Sequence, residues 1–111
     1  MSPRRPERKP ASAALFAALG DETRLALVRK LSAGDAASIA QLTHGSRLTR
    51  QAVTKHLRVL ERAGLVRCAR QGRESRYTLD PRPLLTLYEF LGKVSTQWKQ
   101  ALLRLQSMVE K

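Results

Sequence analysis

The chain has 111 residues, the size of one modest domain, and carries 21 Lys and Arg against 9 Asp and Glu, a formal charge of +12. An excess of this sign favours a polyanionic partner, either nucleic acid or an acidic membrane surface. No window holds the roughly eighteen uninterrupted apolar residues a membrane span requires, and the single Cys68 excludes an internal disulfide framework.

Met1 to Pro10 is basic and proline-rich, with no apolar core ahead of a cleavage site. It reads as a disordered basic arm rather than a signal peptide, and a cytoplasmic protein is the expectation. Arg4, Arg5, Arg8 and Lys9 are placed there for nonspecific phosphate contacts or for nothing at all. Ala11 to Leu19 follows, rich in Ala and Leu and stopped by Gly20, the pattern of a first helix. Asp21 is then placed to cap a second helix. Leu25, Val28 and Leu31 are expected as its buried stripe, with Leu27 beside them, and Gly34 closes it.

Ser38 opens a short third helix with Ile39 and Leu42 facing inward. A turn through Gly45 and Ser46 leads to Thr49, which caps a fourth helix. In that helix Val53, Leu57 and Leu60 repeat at helical spacing. Arg50, Gln51, Thr54, Lys55, Arg58 and Arg62 occupy the other face. The spacing from Ile39 to Val53 suits two helices joined by a tight turn, a helix-turn-helix. Gly64 ends the fourth helix and lets Leu65 fold back on Leu60. Two strands are expected at Leu65–Ala69 and Ser75–Leu79, with Arg70-Gln71-Gly72-Arg73 as their turn.

Pro81 and Pro83 end the hairpin, and Pro83 suits the start of a last helix. Leu84, Leu87, Leu91, Val94, Trp98, Ala101, Leu105 and Met108 then alternate spacings of three and four. That seam predicts a partner helix. The fold class expected is mainly α with a small β-hairpin wing: a winged helix-turn-helix of five helices, its last helix packed on a partner helix. The arm spans 1–10, the DNA-binding domain 11–80 and the dimerisation helix 81–111. Leu15, Phe16, Leu84, Leu87, Leu91, Val94, Trp98 and Leu105 are the expected dimer contacts.

Between Arg47 and Arg82 there are ten Lys or Arg and three acids. A helix fits the major groove, where each base pair presents its own donors and acceptors. Arg50 can fork onto guanine O6 and N7, and Gln51 onto adenine N6 and N7. Thr54 and Lys55, one turn on, reach a base or a phosphate. Thr49 and Arg50 sit at a helix N-terminus, where phosphate binds readily. Arg47 and Arg58 extend this basic surface, and His56 is read as a phosphate contact or a packing residue. Arg70, Arg73 and Arg76 are expected to project from the hairpin toward a minor groove or flanking phosphates.

Three stretches carry a resemblance: ALGDETRLALVRKL at 18–31, TRQAVTKHLRVLERAGLV at 49–66 and GRESRYTLD at 72–80. Together, and in this order, the chain resembles the ArsR (ArsR/SmtB) family of dimeric winged-helix transcriptional repressors. The resemblance implies a homodimer joined by the first and last helices, an inverted-repeat operator in double-stranded DNA and repression of a nearby gene. It carries DNA contact onto Thr49, Arg50, Gln51, Thr54, Lys55 and His56, with Gly72, Arg73 and Tyr77 in the wing. Metal-sensing members use a Cys-x-Cys pair in the third helix and Asp and His in the last. Here Ile39-Ala40-Gln41-Leu42-Thr43 holds no Cys, and the last helix holds no Asp, His or Cys.

No metal or cofactor is expected, because His44, His56 and Cys68 do not form a spacing that closes a zinc site. Cys68, flanked by Arg67 and Arg70, is a redox candidate, with packing under the wing as the alternative. Phe16, Tyr88, Phe90 and Trp98 give aromatic surface for an organic inducer or for a dimer core. No phosphate loop or nucleophile–base set points to an enzyme. The competing reading is a low-specificity architectural DNA-binding protein.

Overall fold

The computed structural model describes residues 12–110. Helices α1 (Ser12–Leu19) and α2 (Glu22–Ala33) lead into a two-residue strand, β1 (Ala37–Ser38). Helices α3 (Ile39–Thr43) and α4 (Arg50–Arg62) follow, then strands β2 (Val66–Gln71) and β3 (Glu74–Leu79) and the long helix α5 (Arg82–Val109). The expected arm at 1–10 lies outside the described residues.

Local chemistry sets most boundaries. Asp21 caps α2, its carboxylate accepting from the backbone N–H of Arg24 at 3.0 Å. Ser38 and Gln41 form a reciprocal capping box at α3: Gln41 N–H donates to Ser38 Oγ, and Ser38 N–H donates to Gln41 Oε1. Thr49 Oγ1 accepts from Ala52 N–H at 3.0 Å and starts α4. That helix ends in a Schellman arrangement. Gly64 takes φ +80°, and Leu65 N–H reaches back to the Leu60 carbonyl at 2.9 Å. Leu65 is fully buried there, as its fold-back requires.

The sheet is antiparallel in the order β1-β3-β2, so β3 is its centre. Gln71 pairs with Glu74 across a two-residue turn of Gly72 and Arg73. Gly72 at φ +63° in the first central position is the arrangement whose twist suits a hairpin. Strand β2 therefore runs two residues nearer the tip than the sequence pattern indicates and β3 one, and Arg70 belongs to β2. Strand β1 was not anticipated, because two residues carry no alternation to read. It forms where the chain runs extended into the Ser38 cap, pairing Ala37 with Tyr77 and Ser38 with Arg76.

Leu15, Val53, Leu57, Leu60, Leu65 and Val66 form the closed centre of the core. In α2 the buried stripe is Leu27, Val28 and Leu31, whereas Leu25 is 40% exposed. Leu25 lies about 110° around the helix from the middle of that stripe, at 100° per residue. Two expected dimer contacts are corrected in the same way. Leu15 at 0% and Leu87 at 5% exposure belong to this chain's own core, with Leu84 packed beside them. Phe16 and Phe90 meet edge to face at 5.8 Å and lay the start of α5 against α1. Beyond Phe90 the rest of α5 is different: Leu91, Trp98, Leu102, Leu105 and Met108 are all more than half exposed.

Asp80 locks the junction between wing and α5. It is buried and accepts from Arg67 Nη2 at 2.9 Å, Arg82 Nη2 at 2.8 Å and the Arg82 backbone N–H at 3.1 Å. The Arg82 guanidinium holds its carboxyl far below the usual carboxylate range, with Arg67 adding to the effect.

Candidate nucleic-acid interface

The apolar stripe of α4 fixes how that helix presents everything else. With Val53, Leu57 and Leu60 turned into the core, Gln51, Lys55 and Arg58 are left exposed on the outer side, and Arg50 is exposed at the first position of the helix. Among the described residues, none of these four side chains takes a hydrogen bond or an ion pair. Thr54 is half-buried on the same side, its hydroxyl donating to the Arg50 carbonyl at 2.7 Å. Thr49 is exposed at the N-terminal end, with its Oγ1 committed to the cap. Arg47, in the turn before the cap, is also exposed.

The turn that sets α3 against α4 is built from small polar groups. Gly45 has φ +76°, a left-handed conformation that favours glycine. Ser46 N–H donates to the Thr43 carbonyl, and Leu48 N–H to Ser46 Oγ. A shallow depression of about 210 Å³ lies behind the turn, between α2 and α4, lined by Thr23, Lys30, Leu42, Ser46 and Val53 among others.

The wing separates its arginines. Arg70 and Arg73 are exposed near the tip, Arg70 Nε donating to the Gly72 carbonyl at 3.4 Å. Arg76 does not project from the tip. It lies on the central strand, is half-buried, and pairs with Glu74 at 3.4 Å. Tyr77, which the resemblance assigns to the wing, is buried beneath it. Burial, with a hydrogen bond to the Cys68 side chain, pushes its phenol up to about 12. Cys68 sits opposite Tyr77 and is exposed rather than packed under the wing. Its neighbour Arg67 points from the other face of the strand to Asp80, so it does not flank the thiol.

His56 is withdrawn from the expected contact set. Its imidazole turns toward the start of α2, with Nδ1 at 3.2 Å from Arg24 Nη1 and 3.7 Å from Asp21 Oδ2. The packing alternative is the one the geometry supports. Arg24 was overlooked because its partner is thirty-two residues away. Local spacing carries no sign of such a pairing.

A family model described as a helix-turn-helix domain matches residues 19–69. The chain is 39% identical over 80 residues to the uncharacterized HTH-type transcriptional regulator YuzN of Bacillus subtilis, covering 67% of this chain and 87% of the relative. It is 38% identical over 85 residues to the HTH-type transcriptional regulator Rv2034 of Mycobacterium tuberculosis, covering 77% and 76%. Among solved structures, an ArsR-like transcriptional regulator from Rhodococcus sp. RHA1 superposes with a TM-score of 0.73 at 32% identity. That match covers 87% of this chain and 91% of the other. The chain belongs to the ArsR family of winged helix-turn-helix transcriptional regulators. It is a DNA-binding regulator and not an enzyme. In this ArsR-type regulator the matched segment 19–69 ends inside β2, so it holds the helix-turn-helix and leaves out the wing tip and α5. No helix among the described residues is long and apolar enough to cross a membrane.

Proposed function

We propose that this regulator is a homodimeric, cytoplasmic repressor that reads an inverted-repeat operator through α4, with the wing on the flanking backbone. The observation that carries the reading is the solvent side and first turn of α4, where Gln51, Lys55 and Arg58, with Arg50 at the helix start, stand exposed over a rigid apolar base. Arg50 and Gln51 lie in the first turn, where major-groove readers touch base edges. Thr49, Thr54, Arg47 and the tip residues Arg70, Gly72 and Arg73 are assigned to phosphate and sugar, which fix register without reading sequence. Arg76, paired with Glu74, contributes charge rather than a direct contact.

The dimer rests on α5. From Leu91 onward its apolar face continues through Trp98, Leu102, Leu105 and Met108, each more than half exposed among the described residues, with Val94 partly covered. Each such side chain contributes about 1.5–3 kcal/mol when fully buried, partly offset by association entropy. Phe16, 37% exposed at the edge of α1, extends that surface. On this reading residues 11–80 are the reading head and 81–111 the dimerising arm.

Selection of bound duplexes from a random-sequence pool, with sedimentation of the same protein, tests both halves. Recovery of an inverted repeat with half-sites about one helical turn apart, bound by a dimer, supports the proposal. Recovery of no preferred sequence favours the architectural alternative.

A further inference from the structure

The recognition helix is also held from behind, by polar groups that take no part in its outer face. His56 leaves α4 about 140° around the helix from Gln51, at 100° per residue. It is three-quarters buried and faces the junction of α1 and α2. There the Arg24 guanidinium makes three contacts at once. Nε donates to the Ala18 carbonyl at 2.6 Å, Nη2 to the Ala17 carbonyl at 3.4 Å, and Nη1 meets His56 Nδ1 at 3.2 Å. Ala17 and Ala18 belong to the last turn of α1, whose carbonyl end favours a cation. Three helices therefore meet at one side chain.

We infer that Arg24 and His56 are positioning residues for DNA binding, fixing α4 against α1, and that His56 acts only while its Nδ1 carries no proton. The inference rests on the reading of α4 as the DNA-contacting helix. Arginine donates and never accepts, so the 3.2 Å contact requires Nδ1 to be the acceptor and places the ring proton on Nε2. A protonated imidazole donates from both nitrogens. Nδ1 then opposes Arg24 with like charge, and its available acceptor is Asp21, at 3.7 Å. Protonation thus exchanges a hold on α1, through Arg24, for a hold on the cap of α2.

Asp21 and Arg24, both from α2, are the ionisable groups in contact with the imidazole. Helix α1 brings carbonyls and no ionisable side chain. On α4, the neighbouring charges Lys55 and Arg58 lie on the exposed side. Asp21 stays a carboxylate well into acid. The Arg24 backbone N–H lowers its pKa, helped by the charges of His56 and Arg24.

The test uses the full chain and a duplex selected by the wild-type protein, followed by fluorescence anisotropy across about pH 8 to pH 5.5. At the upper pH, Arg24→Ala and His56→Ala should bind about five- to tenfold more weakly, the worth of one hydrogen bond. His56→Asn, whose Oδ1 replaces the Nδ1 acceptor without titrating, should stay within about twofold. On acidification the wild type should weaken relative to His56→Asn. A wild-type to His56→Asn affinity ratio that does not change with pH overturns the inference. So do alanine variants that melt and bind like the wild type. The His56→Asn comparison decides the matter even where an alanine variant fails to fold. Failure of the wild type to select any duplex is a separate result, which removes the DNA-contact reading itself before any variant is made.

Discussion

Helices α4 and α5 leave opposite kinds of surface uncovered. On α4 the apolar stripe is closed inside the chain, and four cationic or amide side chains stand in solvent. On α5 the first turns are packed through Pro83 and Leu87, and the rest of the apolar face is open. A free cationic face calls for a polyanion, and a free apolar face calls for another apolar face. Under the proposed function, the contrast gives the two helices two different partners, DNA and a second copy of the chain.

The largest effect should come from salt. With three to five phosphates neutralised per protomer, affinity should fall about 10³–10⁵-fold between 50 and 200 mM salt. A flat salt profile would remove the polyanion half of the contrast. Next comes truncation. Ending the chain after Phe90 keeps Leu84, Leu87 and the Phe16–Phe90 contact, so the reading head retains its core. It should sediment as a monomer and lose about 10²–10⁴-fold in operator affinity as bivalency disappears. A truncated chain that still dimerises would move the interface elsewhere.

Substitutions on α4 and the wing sharpen the division further. Arg50→Ala should cost about 1–3 kcal/mol on the selected duplex and relax its sequence preference. Arg73→Ala should weaken selected and random duplexes alike and reduce the salt slope by about one. Equal behaviour of the two variants on both duplexes would erase the distinction between reading and positioning.

The smallest effect concerns the junction itself. Asp80→Asn should lower stability by about 1–2 kcal/mol at neutral pH. The low end of the range applies because Arg67 and Arg82 are 62% and 72% exposed and well screened. Since the folded-state pKa of Asp80 is depressed, its contribution is complete above about pH 5 and fades as pH falls toward the depressed value. Thermal melts of wild type and Asp80→Asn should therefore converge in acid.

The parts of this fold that were legible are those with local causes. Asp21, Ser38 and Thr49 announce helix starts by their capping oxygens, and Gly64 announces a stop by its left-handed backbone. The seam of α5 was visible as a periodicity, but periodicity names a face and not what covers it. Leu87 and Leu91 read alike in sequence, yet one is packed within the chain and the other is half exposed. Leu15 is expected at a partner only through the family resemblance, which places the first helix in the dimer, yet it lies in this chain's own core. The exposed face of α4 was legible because Val53, Leu57 and Leu60 at helical spacing fix which side turns inward. His56 was not, since it adjoins the fully buried Leu57 in the chain, and its partners Asp21 and Arg24 are remote in sequence.

The most direct test of the account is a backbone-amide NMR titration of the full chain with a selected duplex. The account predicts that the large shifts fall on Arg47 to Arg58 and on Arg70 to Arg73, while Lys93, Lys99 and Arg104 on α5 stay still. Large shifts on those α5 residues with Arg50 to Arg58 unmoved would contradict it.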